Sequence, residues 1–270
     1  MYKNLLSQAI EHRDSYYNNK SEYIFKFVKD IFHSYDREEK DEKATRDSHY
    51  PYIPANPVRF TKILEKLIKK EKLVPKDLKF IDIGSGNGDK VFLAWFLFDF
   101  WATGLEYTTY THLLSYYLID KFARDDWKKY EPVGRAVKED LINAESLENQ
   151  PFALSLLEER KKYLKIHLIR GDGKEFDYSK YDIIYTYRPI VNKVSLFELY
   201  DQIWKTMKIG AYWFEFQTYA QQDYLHDNIA HITGNMTKDQ FEIVKKIGNN
   251  KAKIINLRSV KWTLKILEIL

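Results

Sequence analysis

The chain has 270 residues, with 43 Lys and Arg against 39 Asp and Glu, a formal net charge of +4, and no cysteine. That length holds one large α/β domain with an extension, or two small domains, and its 44% apolar residues can bury a sizeable core. The missing cysteine excludes disulfides, thiolate zinc sites and cysteine nucleophiles and suits a reducing compartment, while the small basic excess permits a nucleic-acid partner without arguing for one.

The first residues, MYKNLLSQAIEHRD, are too charged for a signal peptide. The longest apolar run, VFLAWFLF at 91–98, is far too short to span a membrane. The expectation is a soluble cytoplasmic protein without a membrane partner, its oligomeric state open. Residues 1–35 read as helical, with Ile24, Phe27, Val28 and Ile31 on one face. The mixed charge run DREEKDEKATRDS at 36–48 reads as a solvated helix end or loop. Residues 1–49 are therefore expected to form a helical N-terminal extension.

HYPYIPANP follows. Pro51, Pro54 and Pro57 are spaced by three and would line one edge of a polyproline II segment. Asn56 and Pro57 read as N-cap and first residue of a helix. Its apolar stripe is Phe60, Ile63, Leu64, Leu67 and Ile68. Pro75 and Asp77 mark a turn. Strands and helices then alternate: strand LKFIDI, helix 89–100, strand ATGLE at 102–106, helix 108–123, strand IHLI at 166–169, strand DIIYTY at 182–187. Helix SLFELYDQIWKTM follows, with Gly210 as its C-cap, then strand AYWFEF; KIINL and KWTLKILEI read as a closing hairpin. Such alternation predicts a doubly wound α/β fold, a mostly parallel sheet with helices on both faces. The stretch 126–160 is long for a connection and reads as a helical insertion.

The stretch FIDIGSGNGDK places Gly84, Gly86 and Gly88 between the first strand and its helix, three of only ten glycines within five positions. Glycine admits positive φ and lets a ligand approach the backbone without a Cβ in the way. The plain alternative is a strand-to-helix turn. The dinucleotide fingerprint G-x-G-x-x-G fails, because Asp89 stands where its third glycine belongs. An acid there would also repel a pyrophosphate from the helix start. Instead Asp82 precedes the glycines, giving D-x-G-x-G-x-G.

That motif resembles motif I of the class I, seven-strand, S-adenosylmethionine-dependent methyltransferases. The resemblance continues in order through GLEYT, IRGDGKEFD and YDIIYTYRPI, spanning about 80–216. It implies a seven-strand sheet with an antiparallel C-terminal hairpin strand, a methyltransferase domain over 50–270, and S-adenosyl-L-methionine as cofactor. Carried over residue by residue, it implies cofactor contacts at Asp82, Gly84, Ser85, Gly86, Gly88, Glu106, Tyr107, Asp172 and Gly173. Glu106 would accept hydrogen bonds from the ribose hydroxyls, as a carboxylate with two oxygens can; alternatively it neighbours an N-cap. Asp172 would lie near the adenine amino group, or its GDG is a simple turn. Asp82 would act directly or by holding loop amides.

The methyl acceptor is less constrained. Without cysteine, a covalent C5-pyrimidine mechanism is excluded. The fourth strand ends in Tyr185-Thr186-Tyr187-Arg188-Pro189, not the D/N-P-P-Y/F of amino-methylating enzymes. No cluster with metal-ligand spacing stands out, so no metal is expected. The segment Pro51-Tyr52-Ile53-Pro54-Ala55-Asn56-Pro57 resembles the P-Y-V-P-T/S-P segment of seven-strand protein-lysine methyltransferases outside the SET class. That implies a protein lysine amine as acceptor, with Tyr52, Tyr185 and Tyr187 building the substrate slot. Arg188 would orient an acidic group or form a structural ion pair. RNA or a small molecule is the alternative acceptor, and an inactive cofactor-binding interaction module the alternative of another class. The proline segment reads otherwise as a rigid linker.

Overall fold

The computed structural model describes residues 56–108, 111, 112, 114, 115, 118, 165–187, 189–215, 220–234 and 241–257. The N-terminal extension, the proline segment through residue 55, the insertion at 126–160 and KWTLKILEI lie outside these residues. Of the helix expected at 108–123, residues 108, 111, 112, 114, 115 and 118 are described; Thr108 is not helical and the other five are.

Helix α1 (Pro57–Glu71) begins as its sequence dictates. Asn56 Oδ1 accepts a hydrogen bond from Arg59 N at 2.9 Å, and Pro57 occupies the first turn, where no N–H is missed. Strand β1 (Lys79–Ile83) leads through the glycine loop into α2 (Asp89–Phe98), and β2 (Trp101–Glu106) follows. All ten residues of α2 are buried, so its apolar run is a core helix covered on every side rather than a membrane element. Next come β3 (Ile166–Arg170), β4 (Ile183–Thr186), α3 (Lys193–Thr206), β5 (Tyr212–Glu215) and α4 (Ala220–Asn228). The short β6 (His231–Thr233), β7 (Phe241–Gly248) and β8 (Lys251–Leu257) complete the order.

The strands form one sheet in the order β3-β2-β1-β4-β5-β7-β8-β6. β1 to β5 are mutually parallel; β7 is antiparallel to both β5 and β8, and β6 is parallel to β8. β7 is thus the one described strand that runs against the rest. This is the doubly wound, mostly parallel α/β sheet with an antiparallel C-terminal hairpin that the sequence predicts. Three details differ from expectation. The described hairpin pairs KAKIINL with FEIVKKIG, a strand absent from the expectation. The sheet has eight described strands, the extra one being the three-residue edge strand β6. Gly210 does not cap α3, which ends at Met207 in extended backbone; Gly210, at φ 93°, instead turns into β5 and donates its N–H to Lys246 O at 2.7 Å.

Two apolar layers cover the sheet. On one face α1 and α2 pack over Phe80, Tyr185 and Phe214; on the other α3 and α4 pack over Ile81, Ile184 and Trp213. Lys246, on β7, is buried and donates to the carbonyls of Trp204 and Met207 at 2.5 and 2.8 Å. Its ammonium thereby caps the C-terminal end of α3, where the helix dipole favours a cation.

α1 is tied to β5 and β7 by a three-membered polar contact. Glu71 Oε2 accepts from Lys245 Nζ at 3.0 Å and from Tyr212 Oη at 2.8 Å. Burial pushes the Glu71 carboxyl up, but these two hydrogen bonds outweigh it and hold the group below the usual carboxylate range. A carboxyl depressed in the fold gives stability that is present above its unfolded pKa and lost as pH falls through the folded one. Glu71→Gln should therefore lower the unfolding free energy by about 1 kcal/mol near pH 7. In denaturant titrations, its difference from wild type should close below about pH 4. A difference that persists in acid would assign the effect to packing instead.

Candidate functional site

The C-terminal ends of the parallel strands converge on the glycine loop. Gly84, Gly86 and Gly88 take φ values of 72°, 53° and 82°, a region closed to most side chains. A Cβ at Gly84 would also approach Pro189 Cβ to 3.0 Å, so the segment after β4 packs against the loop. β2 supplies what the loop needs. Leu105 O accepts from Gly84 N at 2.8 Å and Ser85 N at 3.1 Å. Glu106 accepts from Gly86 N at 2.8 Å through Oε2 and from Thr108 N at 2.9 Å through Oε1. Ser85 Oγ is buried without a hydrogen-bond partner among the described residues. It lies 2.8 Å from where a Cβ at Gly104 would stand, so Gly104 makes room for it.

The loop is strongly charged beneath its surface. Asp82, Asp89, Lys90 and Glu106 are all buried, and Lys90 Nζ pairs with Asp89 Oδ2. Burial pushes the Asp82 carboxyl well above the usual carboxylate range; the charges of Asp89 and Glu106 add to this, and Lys90 opposes it. Asp89 opens α2, where a carboxylate complements the helix dipole. The arrangement disfavours an anionic ligand and favours one carrying positive charge.

The structure places the other expected residues as follows. Tyr107 follows Glu106 and is 60% exposed. Asp172 is half-buried at the end of β3 and its Oδ1 accepts from Lys174 N at 2.9 Å, so the turn reading of GDG is realised with the carboxyl still partly accessible. The carboxyl also borders an open polar cleft shared with Glu198 and Gln202 of α3. Gly173 serves packing: a Cβ there would come within 2.9 Å of Leu199 Cδ1. Tyr187, past the end of β4, is partly buried against the α1–α2 core. Tyr52 and Arg188 lie outside the described residues.

Tyr185 does not line an open slot. It is 1% exposed, with its ring against Phe60, Phe80 and Phe214 at centroid distances of 5.1, 6.5 and 4.9 Å. Strand alternation explains this, since Asp82, Tyr185 and Phe214 stand side by side in register on the face that α1 covers. Burial raises its hydroxyl pKa, with Asp82, Asp89, Tyr187 and Glu215 adding to the shift. Tyr185 is thus core packing behind the site.

Three contributors escaped the sequence reading. Arg59, in the first turn of α1, lies within electrostatic range of Tyr187 and Tyr185, and its pKa is lowered by burial. Lys90 is a buried cation under the loop. Glu215 ends β5 and accepts a hydrogen bond from Tyr200 Oη. An acid closing an apolar strand, the same signal as Glu106 in ATGLE, could have marked Glu215 in YWFE. No group of three or more His, Asp or Glu able to hold a metal occurs among the described residues, and no described helix is long and apolar enough to cross a membrane.

No protein-family model matches the chain, and no curated protein matches its sequence. Solved structures are similar at low identity. An RNA methyltransferase from Salinibacter ruber in complex with S-adenosyl-L-homocysteine is 14% identical over 60% of this chain and 76% of that one, with a TM-score of 0.39. Precorrin-6y C5,15-methyltransferase from Geobacter metallireducens is 14% identical over 70% of this chain and 78% of that one, with a TM-score of 0.40. An S-adenosylmethionine-dependent methyltransferase from Geobacter sulfurreducens is 12% identical over 63% of this chain, which spans half of that one (50%), with a TM-score of 0.38. At such identities and scores nothing about activity carries from those proteins to this one.

The raised Asp82 carboxyl gives a signed expectation. A carboxyl that holds its proton longer in the fold than in the unfolded chain stabilises the fold at low pH. That contribution is lost as pH rises through the folded pKa. Asp82→Asn removes the titration. In ligand-free protein, the stability difference should move in the variant's favour as pH rises above about 4, the unfolded value. A pH-independent difference in melting temperature would show that Asp82 does not titrate in this range.

Proposed function

We propose that this chain is an S-adenosylmethionine-dependent methyltransferase whose acceptor is an amine on a protein, a lysine in preference. The observation that carries the cofactor reading is the positive-φ glycine loop at the end of β1, clasped by Glu106 from the end of β2. The loop presents backbone without side chains at a switch point of the sheet, β1 pairing β2 on one side and β4 on the other. When bound, the cofactor supplies an electrophilic methyl group on a sulfonium. Buried Asp82, Asp89 and Glu106 favour such a cation, and Asp89 at the start of α2 disfavours a pyrophosphate. Each Glu106 oxygen accepts one backbone hydrogen bond and keeps a lone pair for a ribose hydroxyl. Tyr107, Asp172 and Gly173 flank that position just past the ends of β2 and β3, and Ser85 fills the loop.

The acceptor reading rests on the missing D/N-P-P-Y/F, the missing cysteine and the proline segment. α1 brings Arg59 near Tyr187, and the proline segment runs directly into α1, which supports a path for Tyr52 towards the end of β4. The chain's task at that end is to align a neutral nucleophile and exclude water. Tyr52 and Tyr187 would wall the slot and Arg188 would orient the acceptor.

Calorimetry should show binding of S-adenosylhomocysteine and none of NAD. Glu106→Ala should weaken that binding by about 1.5–3 kcal/mol, the range for hydrogen bonds to a charged acceptor. Tritiated methyl label transferred in a lysate should survive nuclease and be lost to protease. Label lost to nuclease would mark RNA as the acceptor, and binding without any transfer would mark an interaction module.

The proline segment supplies a separate check. Proline fixes φ, so the segment costs little entropy to hold as a wall. Tyr52→Ala should slow methyl transfer at least ~10-fold, about 1.4 kcal/mol of transition-state stabilisation, without loss of the fold. Near-normal kinetics would make the segment a linker.

A further inference from the structure

We infer that Glu215, held by Tyr200, is the acceptor-binding carboxylate of this site and selects a nitrogen nucleophile that carries a proton. The inference rests on the methyltransferase reading above and adds to it the residue that recognises the acceptor. Its first ground is topology. The loop of β1 and the end of β2 form one side of the switch point, so the acceptor must enter over the ends of β4 and β5 on the other side. Ile83, Thr186 and Glu215 are in register across β1, β4 and β5. With neighbouring strands about 4.8 Å apart, Glu215 stands about 10 Å from the last residue of β1. That is the span a side chain and a small acceptor group would fill.

The second ground is chemistry. β4 and β5 together read IIYT and YWFE, so Glu215 is the only carboxylate on either strand. It is 7% exposed, and such a group is costly to bury unless hydrogen-bonded. Tyr200 Oη donates to Oε2 from α3, which fixes the carboxylate at the strand end. Glu215 follows Phe214 on β5, so its side chain faces the α3 layer with Ile83 and Thr186, on the opposite face of the sheet from Asp82 and Tyr185, and reaches the acceptor only at the strand end. The neighbouring Thr186 Oγ1 already accepts from Trp213 Nε1 at 3.3 Å, so Thr186 is committed to holding β4 against β5.

An ionised carboxylate only accepts hydrogen bonds. It therefore recognises an N–H, repels a phosphate or another carboxylate, and can turn an amine so that its lone pair faces away from Glu215. When the amine nitrogen bonds to the methyl carbon, the carbon–sulfur electron pair leaves with sulfur. The new ammonium then releases one proton, to Glu215 or to water.

The test uses the full chain as wild type, Glu215→Gln and Tyr200→Phe, with poly-L-lysine and total RNA as methyl acceptors and S-adenosylhomocysteine as the binding probe. Glu215→Gln should bind S-adenosylhomocysteine within about 2-fold of wild type while its KM for poly-L-lysine rises at least ~10-fold, with a smaller fall in kcat. Tyr200→Phe should shift KM in the same direction by less. Unchanged KM in Glu215→Gln, or methyl label entering RNA and not poly-L-lysine, overturns the inference. So does a variant that loses cofactor binding and melting temperature together, because that marks a strut between β5 and α3. Failure of wild type to bind S-adenosylhomocysteine strikes the methyltransferase reading itself and is seen in a separate measurement.

Discussion

A loop that leaves a parallel strand and turns over its end has N–H groups pointing where no neighbouring strand can meet them, and buried N–H groups need partners. Here the next strand meets those of Gly84, Ser85 and Gly86. Leu105 gives its carbonyl to Gly84 and Ser85, and Glu106 gives its side chain to Gly86 and Thr108. The register Ile83↔Leu105 makes this possible, because it brings the end of β2 level with the start of the loop. Gly104, one residue earlier, lets Ser85 settle against β2. α2 can then start at Gly88 in the left-handed region and run through the core. The loop is thus shaped by β2 as much as by its own glycines.

The same carboxylate that shapes the loop is the one expected to meet a ligand, and this couples folding to binding. A substitution at Glu106 releases two backbone N–H groups as well as any ligand hydroxyl, so local order and affinity fall together. The buried acids Asp82 and Asp89 sit close enough to feel one another, with Lys90 as the nearby cation. Repulsion of this kind is tolerated where a positive ligand can relieve it, which is why perturbed acids gather at sites. Tyr185 belongs to the same balance from behind, as an aromatic wall whose hydroxyl stays protonated beside them.

Much of this was legible in the sequence because it rests on local rules. The alternation of short apolar strands with amphipathic helices, the Asn56-Pro57 start of α1 and the clustered glycines each have a meaning within a few residues. The acids at the ends of β1, β2 and β3 were readable by position. What was not legible depends on the other face of an element. FEIVKKIG was passed over because Lys245 and Lys246 interrupt its pattern. One of them pairs with Glu71, and the other is buried against helix carbonyls. Tyr185 and Tyr187 look alike in sequence, yet α1 buries the first within β4, while the second, past the end of the strand, is left at the rim. Arg59 reaches the site only because α1 lies over β4, a tertiary fact with no local signature.

Lys246 carries a consequence for the order in which the chain is made. The ribosome delivers α3 some forty residues before the strand that caps it, so for that interval the Trp204 and Met207 carbonyls face solvent and β5 is an open sheet edge with no antiparallel neighbour. A chain cut short before β7 would keep both exposed, the edge free to pair with another strand. When β7 is present, its backbone closes the edge and its Lys246 side chain closes the helix.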